Sequence, residues 1–192
     1  SNLQGHTTLQ NTLTVQGFTN LQNNVTIQDA LNVQGTTNLQ GHTTLQDTLT
    51  VQGFTNLQNN VTIQDALNVQ GTTNLQGSTT LQDTLNVQGT SYLQDTLTVK
   101  GFSSLQNNVT IQDALNVQGT TNLQGSTTLQ DTLNVQGTSY LQDTLTVKGF
   151  TNLQNNVTIQ DALNVQGTSN LQGPTTLQNT LTVQGFTNLQ NN

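Results

Sequence analysis

The chain has no cysteine and no methionine, two basic residues against nine acidic ones, and apolar side chains at only 30% of its 192 positions. Without cysteine there is neither a disulfide nor a thiolate site, and thiols give no reading of the compartment. A formal charge of −7 leaves no basic surface to displace counterions, which argues against a nucleic-acid partner. No apolar run is long enough to span a bilayer and no secretory leader is present, so membrane insertion is not expected. The missing initiator, with a length of 32 six-residue units, leads us to expect a segment of a longer or processed chain. So few apolar residues would make a thin globular core. A narrow prism that turns two residues of every six inward needs only one third of the chain inside, and that is about what the sequence supplies.

What is present is a phase. An aliphatic residue stands at every sixth position from Leu3 to Leu189, 32 times without a miss. Low charge with abundant Gln, Asn and Thr is also the composition of disordered tracts, but such tracts do not hold Leu, Val and Ile in fixed register. Calling the aliphatic residue position one, position two is Gln except at Lys100 and Lys148, and position three is always Gly, Asp or Asn. Position five is Thr, Ser, Leu or Val, and position six is Thr or Asn except at Tyr92, Ser104 and Tyr140.

A period of six matches no single helical stripe, and a helix breaker recurs in every unit. Positions five and one lie two residues apart, so in an extended segment they share one face while positions six and two share the other. Thr43-Thr44-Leu45-Gln46 therefore reads as a short strand with Thr43 and Leu45 inward, and Asp47-Thr48 turns the chain. The restriction of position three to Gly, Asp and Asn suggests a left-handed backbone there. The two-residue connections lack the residue pairs of tight hairpins, so corners of one hand wind the chain into a coil.

Larger repeats overlie the hexad. Residues 7–42 and 43–78 are near copies, as are 79–126 and 127–174, and a partial copy occupies 175–192; together they read as one continuous solenoid over 1–192 that continues into a longer fibre. Like falls on like at an offset of three hexads: Thr43 to Thr48 over Val61 to Ala66, Leu49 to Phe54 over Leu67 to Thr72. Three hexads per rung make a triangular prism. The same offset stacks Asp29, Asp47, Asp65 and Asp83 in one column and Asp95, Asp113 and Asp131 in another. Against a single chain, the 48-residue copies hold an extra pair of hexads, which rotates every later unit onto a different face.

Leu3-Gln4-Gly5-His6-Thr7-Thr8 resembles the hexapeptide repeat of left-handed β-helices over the whole chain, although Leu13, Leu31 and Leu49 are larger than that family usually carries at position five. Thr43-Thr44-Leu45, followed by Thr48-Leu49-Thr50-Val51 and Gly53, is similar to the shaft repeats of phage tail fibres and related viral fibres, which are commonly intertwined homotrimers. The expectation is an all-β parallel solenoid of triangular cross-section with three hexads per rung, wound as a left-handed single-chain coil, the alternative being an intertwined homotrimeric β-helix.

The hexapeptide resemblance also implies acyltransferase chemistry through a histidine. His6 and His42 stand at a turn position that Ser78, Ser126 and Pro174 take elsewhere, so they read as surface residues and no catalytic site, cofactor or metal is expected. The Asp columns suggest Ca²⁺ as a hard cation for oxygen ligands, but the turn propensity of Asp explains each residue singly. Outward Thr ladders suggest ice binding, yet each such Thr is followed by an outward Gln, as Thr8 by Gln10 and Thr26 by Gln28. Asn24, Asn60, Asn108 and Asn156 each begin Asn-Val-Thr, a glycosylation acceptor that matters only in a eukaryotic secreted protein. Phe18, Phe54, Phe102, Phe150 and Phe186 follow a corner Gly, where they either shield the neighbouring rung or make lateral contact with other rods or a partner.

The functional expectation is a structural fibre or shaft segment, extracellular or on a virion surface, acting as spacer and display surface. Its partner is itself, through end-to-end stacking, lateral bundling or a homotrimer, and its uncapped ends are open sheet edges. A glycan- or ice-binding surface is the alternative, and a hexapeptide acyltransferase the remote one.

Overall fold

The computed structural model of the chain describes residues 2–190. It opens with β1 (Asn2–Leu3) and β2 (Thr7–Leu9) and then places a three-residue strand every six residues to β32 (Thr187–Leu189). Each strand occupies positions five, six and one. The middle residue faces outward and its neighbours are buried along the body of the stack, as in Val25-Thr26-Ile27. Strand n pairs in parallel with strand n + 3, so one chain coils upon itself with three hexads per rung.

Three sheets form the walls of the prism, with 11, 11 and 10 strands. The first wall begins with Asn2–Leu3, the second with Thr7–Leu9 and the third with Leu13–Val15. The ladder continues past each strand, since Gln40 N–H donates to the Leu21 carbonyl at 2.9 Å and Thr37 N–H to the Phe54 carbonyl at 2.8 Å. At a rung spacing of about 4.8 Å the stack is about 50 Å long.

The interior follows a volume rule. In every complete rung from Thr19 to Leu177, position five carries one Leu and two smaller residues. A strand with Leu at position five ends in Val, one with Thr or Ser ends in Leu, and one with Val ends in Ile, as in Leu31-Asn32-Val33, Thr37-Asn38-Leu39 and Val25-Thr26-Ile27. Large and small side chains thus interdigitate across the axis at interior density. Each fully buried Leu, Val or Ile contributes roughly 1.5–3 kcal/mol.

The rule survives the rotation that the 48-residue copies impose. Leu85 stands on the third wall, Leu97 on the second and Leu145 on the first, so the Leu column changes wall twice. Every rung keeps its single large residue. The two changes accommodate the extra hexads within one chain.

Glycine acts at the corners by close approach. A Cβ on Gly71 would lie 2.3 Å from the carbonyl oxygen of Gly53 directly beneath it, a distance no real side chain occupies. None of the glycines has φ in the left-handed region, so the left-handed backbone expected at position three is not what selects them.

Candidate binding surface

The outer surface is assembled from columns, one residue per rung. On the first wall Asn20, Asn38 and Asn56 form an amide ladder, Asn38 donating to Asn20 at 3.3 Å and Asn56 to Asn38 at 3.2 Å. A second ladder links Asn134, Asn152 and Asn170 on the second wall. Such ladders satisfy each amide with the one below it and tie neighbouring rungs together. Lower on the second wall, Thr8, Thr26, Thr44, Thr62, Thr80 and Thr98 share one outward column.

The corners bear the charge. Asp29, Asp47, Asp65 and Asp83 stack where the second wall turns into the third, and Asp95, Asp113 and Asp131 where the first turns into the second. The carboxylates are clipped to the rung below. Thr12 donates its hydroxyl to Asp29 at 2.6 Å, Thr48 to Asp65 at 2.8 Å, Thr96 to Asp113 at 2.5 Å and Thr144 to Asp161 at 2.6 Å. Where the rung below offers alanine instead, as Ala30 beneath Asp47 and Ala66 beneath Asp83, the carboxylate accepts from the threonine beside it, Thr48 or Thr84.

The Thr12 hydroxyl holds the Asp29 carboxyl below its ordinary range. The backbone N–H of Thr96, followed by the Ser78 hydroxyl, does the same for Asp95, and the Thr144 hydroxyl with the Asn179 amide does so for Asp161. In each case donors aimed at the charged form favour ionisation. Among the described residues no three His or Asp side chains come together as a metal ligand set.

His6 and His42 lie exposed at the corner between the first and second walls, two rungs apart with Asn24 between them. Asn24 separates the two imidazoles, and Asn60 and Ser78 follow His42 up the same column. The side-chain carbonyl of Asn24 accepts from His42 N–H at 3.2 Å, and that of Asn60 accepts from Ser78 N–H at 3.2 Å. Asn24, Asn60, Asn108 and Asn156 are all exposed at corners, with the following Val turned inward.

The five phenylalanines do not share an edge. Phe18 and Phe54 stand where the third wall turns into the first, Phe102 where the second turns into the third, and Phe150 and Phe186 where the first turns into the second. All five are partly exposed.

Two further aromatics acquire a position that sequence reasoning did not give them. Tyr92 and Tyr140 are the outward residues of Ser91–Leu93 and Ser139–Leu141. Tyr92 lies on the first wall two rungs above the strand that Phe54 precedes, and the two rings flank a shallow cleft of about 280 Å³. Tyr140 stands in the same relation to Phe102 on the third wall. The available signal was the spacing, since each tyrosine follows its phenylalanine by two rungs and two residues.

Comparison with known proteins returns no matching family model, no similar curated protein and no similar solved structure.

Proposed function

We propose that this chain is a length of rigid structural shaft, a spacer and display surface of a fibre. One observation carries the reading: every rung pairs in register with the next on all three walls from Asn2 to Leu189, and each complete rung from Thr19 to Leu177 keeps a single Leu at position five. A stack of this kind resists bending because each rung is held by three parallel ladders and a continuous aliphatic column. The surface supports the same reading, being a repeated lattice of amides, hydroxyls and spaced carboxylates with no inserted loop to enclose a substrate.

The hexad pattern resembles hexapeptide solenoids and viral fibre shafts, and in that setting the protein acts outside the cell or on a virion. Its partner in this reading is another copy of itself. A further copy stacked end to end would continue the three ladders and cover the partly buried Leu3, Leu9, Leu177 and Leu181. The function so described needs no cofactor and no catalysis.

Negative-stain imaging with mass determination tests it. The expected particle is a straight rod whose length is a multiple of about 50 Å, one chain in cross-section. Compact globules, or a three-chain mass with a length of about 150 Å, would overturn it.

A further inference from the structure

We propose that the shaft carries two lateral binding sites for neutral saccharides, one on the first wall between Phe54 and Tyr92 and one on the third wall between Phe102 and Tyr140. The rings are well presented for surface aromatics, with Phe54 38%, Tyr92 50%, Phe102 39% and Tyr140 48% exposed. The cleft is lined by Thr72 and Asn74 on the rung between the two rings, by Leu93 and Gln94 next to Tyr92, and by Thr110 and Gln112 on the rung above, and no charged side chain contributes. On a chain of net charge −7, a cleft free of charge selects a neutral occupant.

The chemistry narrows the occupant further. Aromatic faces carry negative π density and attract the weakly positive C–H bonds on the flat side of a sugar ring. Amide and hydroxyl side chains both donate and accept, as vicinal sugar hydroxyls do. An apolar peptide would leave those amides without partners, at a cost of about 1–3 kcal/mol for each one buried. A volume of about 280 Å³ holds a single sugar ring, and the flat wall allows an extended oligosaccharide to continue across it.

Two details bear on these places. The amide ladder stops beneath the first site: Asn56 donates to Asn38, but its own carbonyl has no partner, so the Asn74 amide is not spent on the ladder and lines the cleft instead. At the second place Ser104 stands where Asn56 does, and the side-chain carbonyl of Asn122, the counterpart of Asn74, is buried and unpaired, as are those of Asn86 and Asn170 elsewhere. A shift of 48 residues also reproduces the whole set, since Phe102, Asn122, Tyr140, Gln142, Thr158 and Gln160 repeat Phe54, Asn74, Tyr92, Gln94, Thr110 and Gln112 in order. Phe150 begins a third copy whose equivalent residue is Asn188, so the phenylalanine–tyrosine pair occurs twice.

The test exploits the composition. The chain has two tyrosines and no tryptophan, so its tyrosine emission arises from these two sites alone. The chain is titrated with hexasaccharides of glucose, galactose and mannose. A saturable change with two sites per chain is expected for at least one of them, with no response to a sialylated trisaccharide. Phe54→Thr with Phe102→Thr keeps both fluorophores and places Thr where Thr72 and Thr120 already stand one rung on; affinity should fall about tenfold or more. Tyr92→Asn with Tyr140→Asn, copying Asn74 and Asn122 beneath, should abolish the calorimetric signal at an unchanged melting temperature. No response to any of the three neutral series up to about 10 mM would overturn the proposal, as would binding that survives either double variant. Emission that changes with protein concentration alone would assign the cleft to a second copy and overturn it too. The rod seen by negative stain is independent of all these outcomes.

Discussion

Leu97 stacks directly on Thr79, and with that step the large inward residue of each rung passes from the third wall of the prism to the second. On the neighbouring wall Ser103 stacks on Leu85, so the volume added on one side is withdrawn on the other. The rung at this change holds Ser91, Leu97 and Ser103, the smallest position-five set in the body of the stack. The switch is therefore placed where the core has most room. Because surface residues travel with their hexads, the same step carries the Asp column and the Phe corner to new edges.

Inside the prism Thr19, Thr37, Thr55, Thr73 and Ser91 form a column of buried hydroxyls without hydrogen-bond partners. Each retains the desolvation cost of a polar group. Val is already accepted at this position in Val25 and Val61. Thr55→Val should therefore raise unfolding free energy by about 1–2 kcal/mol, read as a higher urea midpoint at unchanged slope.

Much of this was legible in the sequence. The inward pair of Thr43 and Leu45, the turn at Asp47-Thr48 and the three-hexad rung all follow from hexad phase, because a two-residue strand period and a fixed corner leave one solution. At its glycines, position three was misread in mechanism. Its restriction to Gly, Asp and Asn resembles a left-handed turn, whereas the restraint on Gly71 is the carbonyl of Gly53 one rung below, a contact three hexads away along the chain. Tyr92 was visible as an exception but not as a partner of Phe54, since their relation depends on which wall each hexad occupies. The clip from Thr12 to Asp29 likewise joins corners of successive rungs.

Glycine corners should differ in their tolerance of a methyl group. At Gly71 the nearest atoms to a new Cβ are backbone, the Gly53 oxygen at 2.3 Å and carbon at 2.7 Å, which cannot move without shifting the ladder. At Gly149 the nearest are the Asp131 carbonyl oxygen and carboxylate, both at 2.9 Å, so the backbone overlap is smaller and the carboxylate can rotate away. Gly71→Ala should cost about 1–3 kcal/mol, as overpacking does, and Gly149→Ala measurably less. Thermal melts of the two variants compare them directly.

Acid should loosen the corners in a defined window. The folded pKa of Asp29 lies below its unfolded value because the Thr12 hydroxyl bonds the ionised form. Its contribution is thus fully present above the unfolded value of about 3.9 and is lost as pH falls through the lower folded value. Stability should be flat from about pH 7 to about 5 and decline below about 4. In Thr12→Val the Asp29 carboxyl, followed by carbon-detected NMR, should titrate closer to its ordinary value, while Asp161, clipped by Thr144, should not move.

The volume rule yields the sharpest contrast, between two deletions of equal length. Removing residues 55–60 brings Leu49 and Leu67 two hexads apart, the spacing already present between Leu85 and Leu97. The next rungs then read Val61, Leu67, Thr73 and Thr79, Leu85, Ser91, each with one Leu; higher up, either deletion brings Leu133, Ser139 and Leu145 into one rung, a change common to both. Removing residues 49–54 instead creates a rung of Thr37, Thr43 and Thr55 with no large residue. Both deletions rotate the remaining chain by one wall, and both leave Gly, Asp and Asn stacked in combinations the corners already use. The first therefore carries only the change both share and serves as the reference for the second. The second should lose about 2–5 kcal/mol, the cost of an unfilled Leu site, and hydrogen exchange should localise the loss to the strands flanking that rung. Equal losses in the two would show that wall identity, not rung volume, governs the stack.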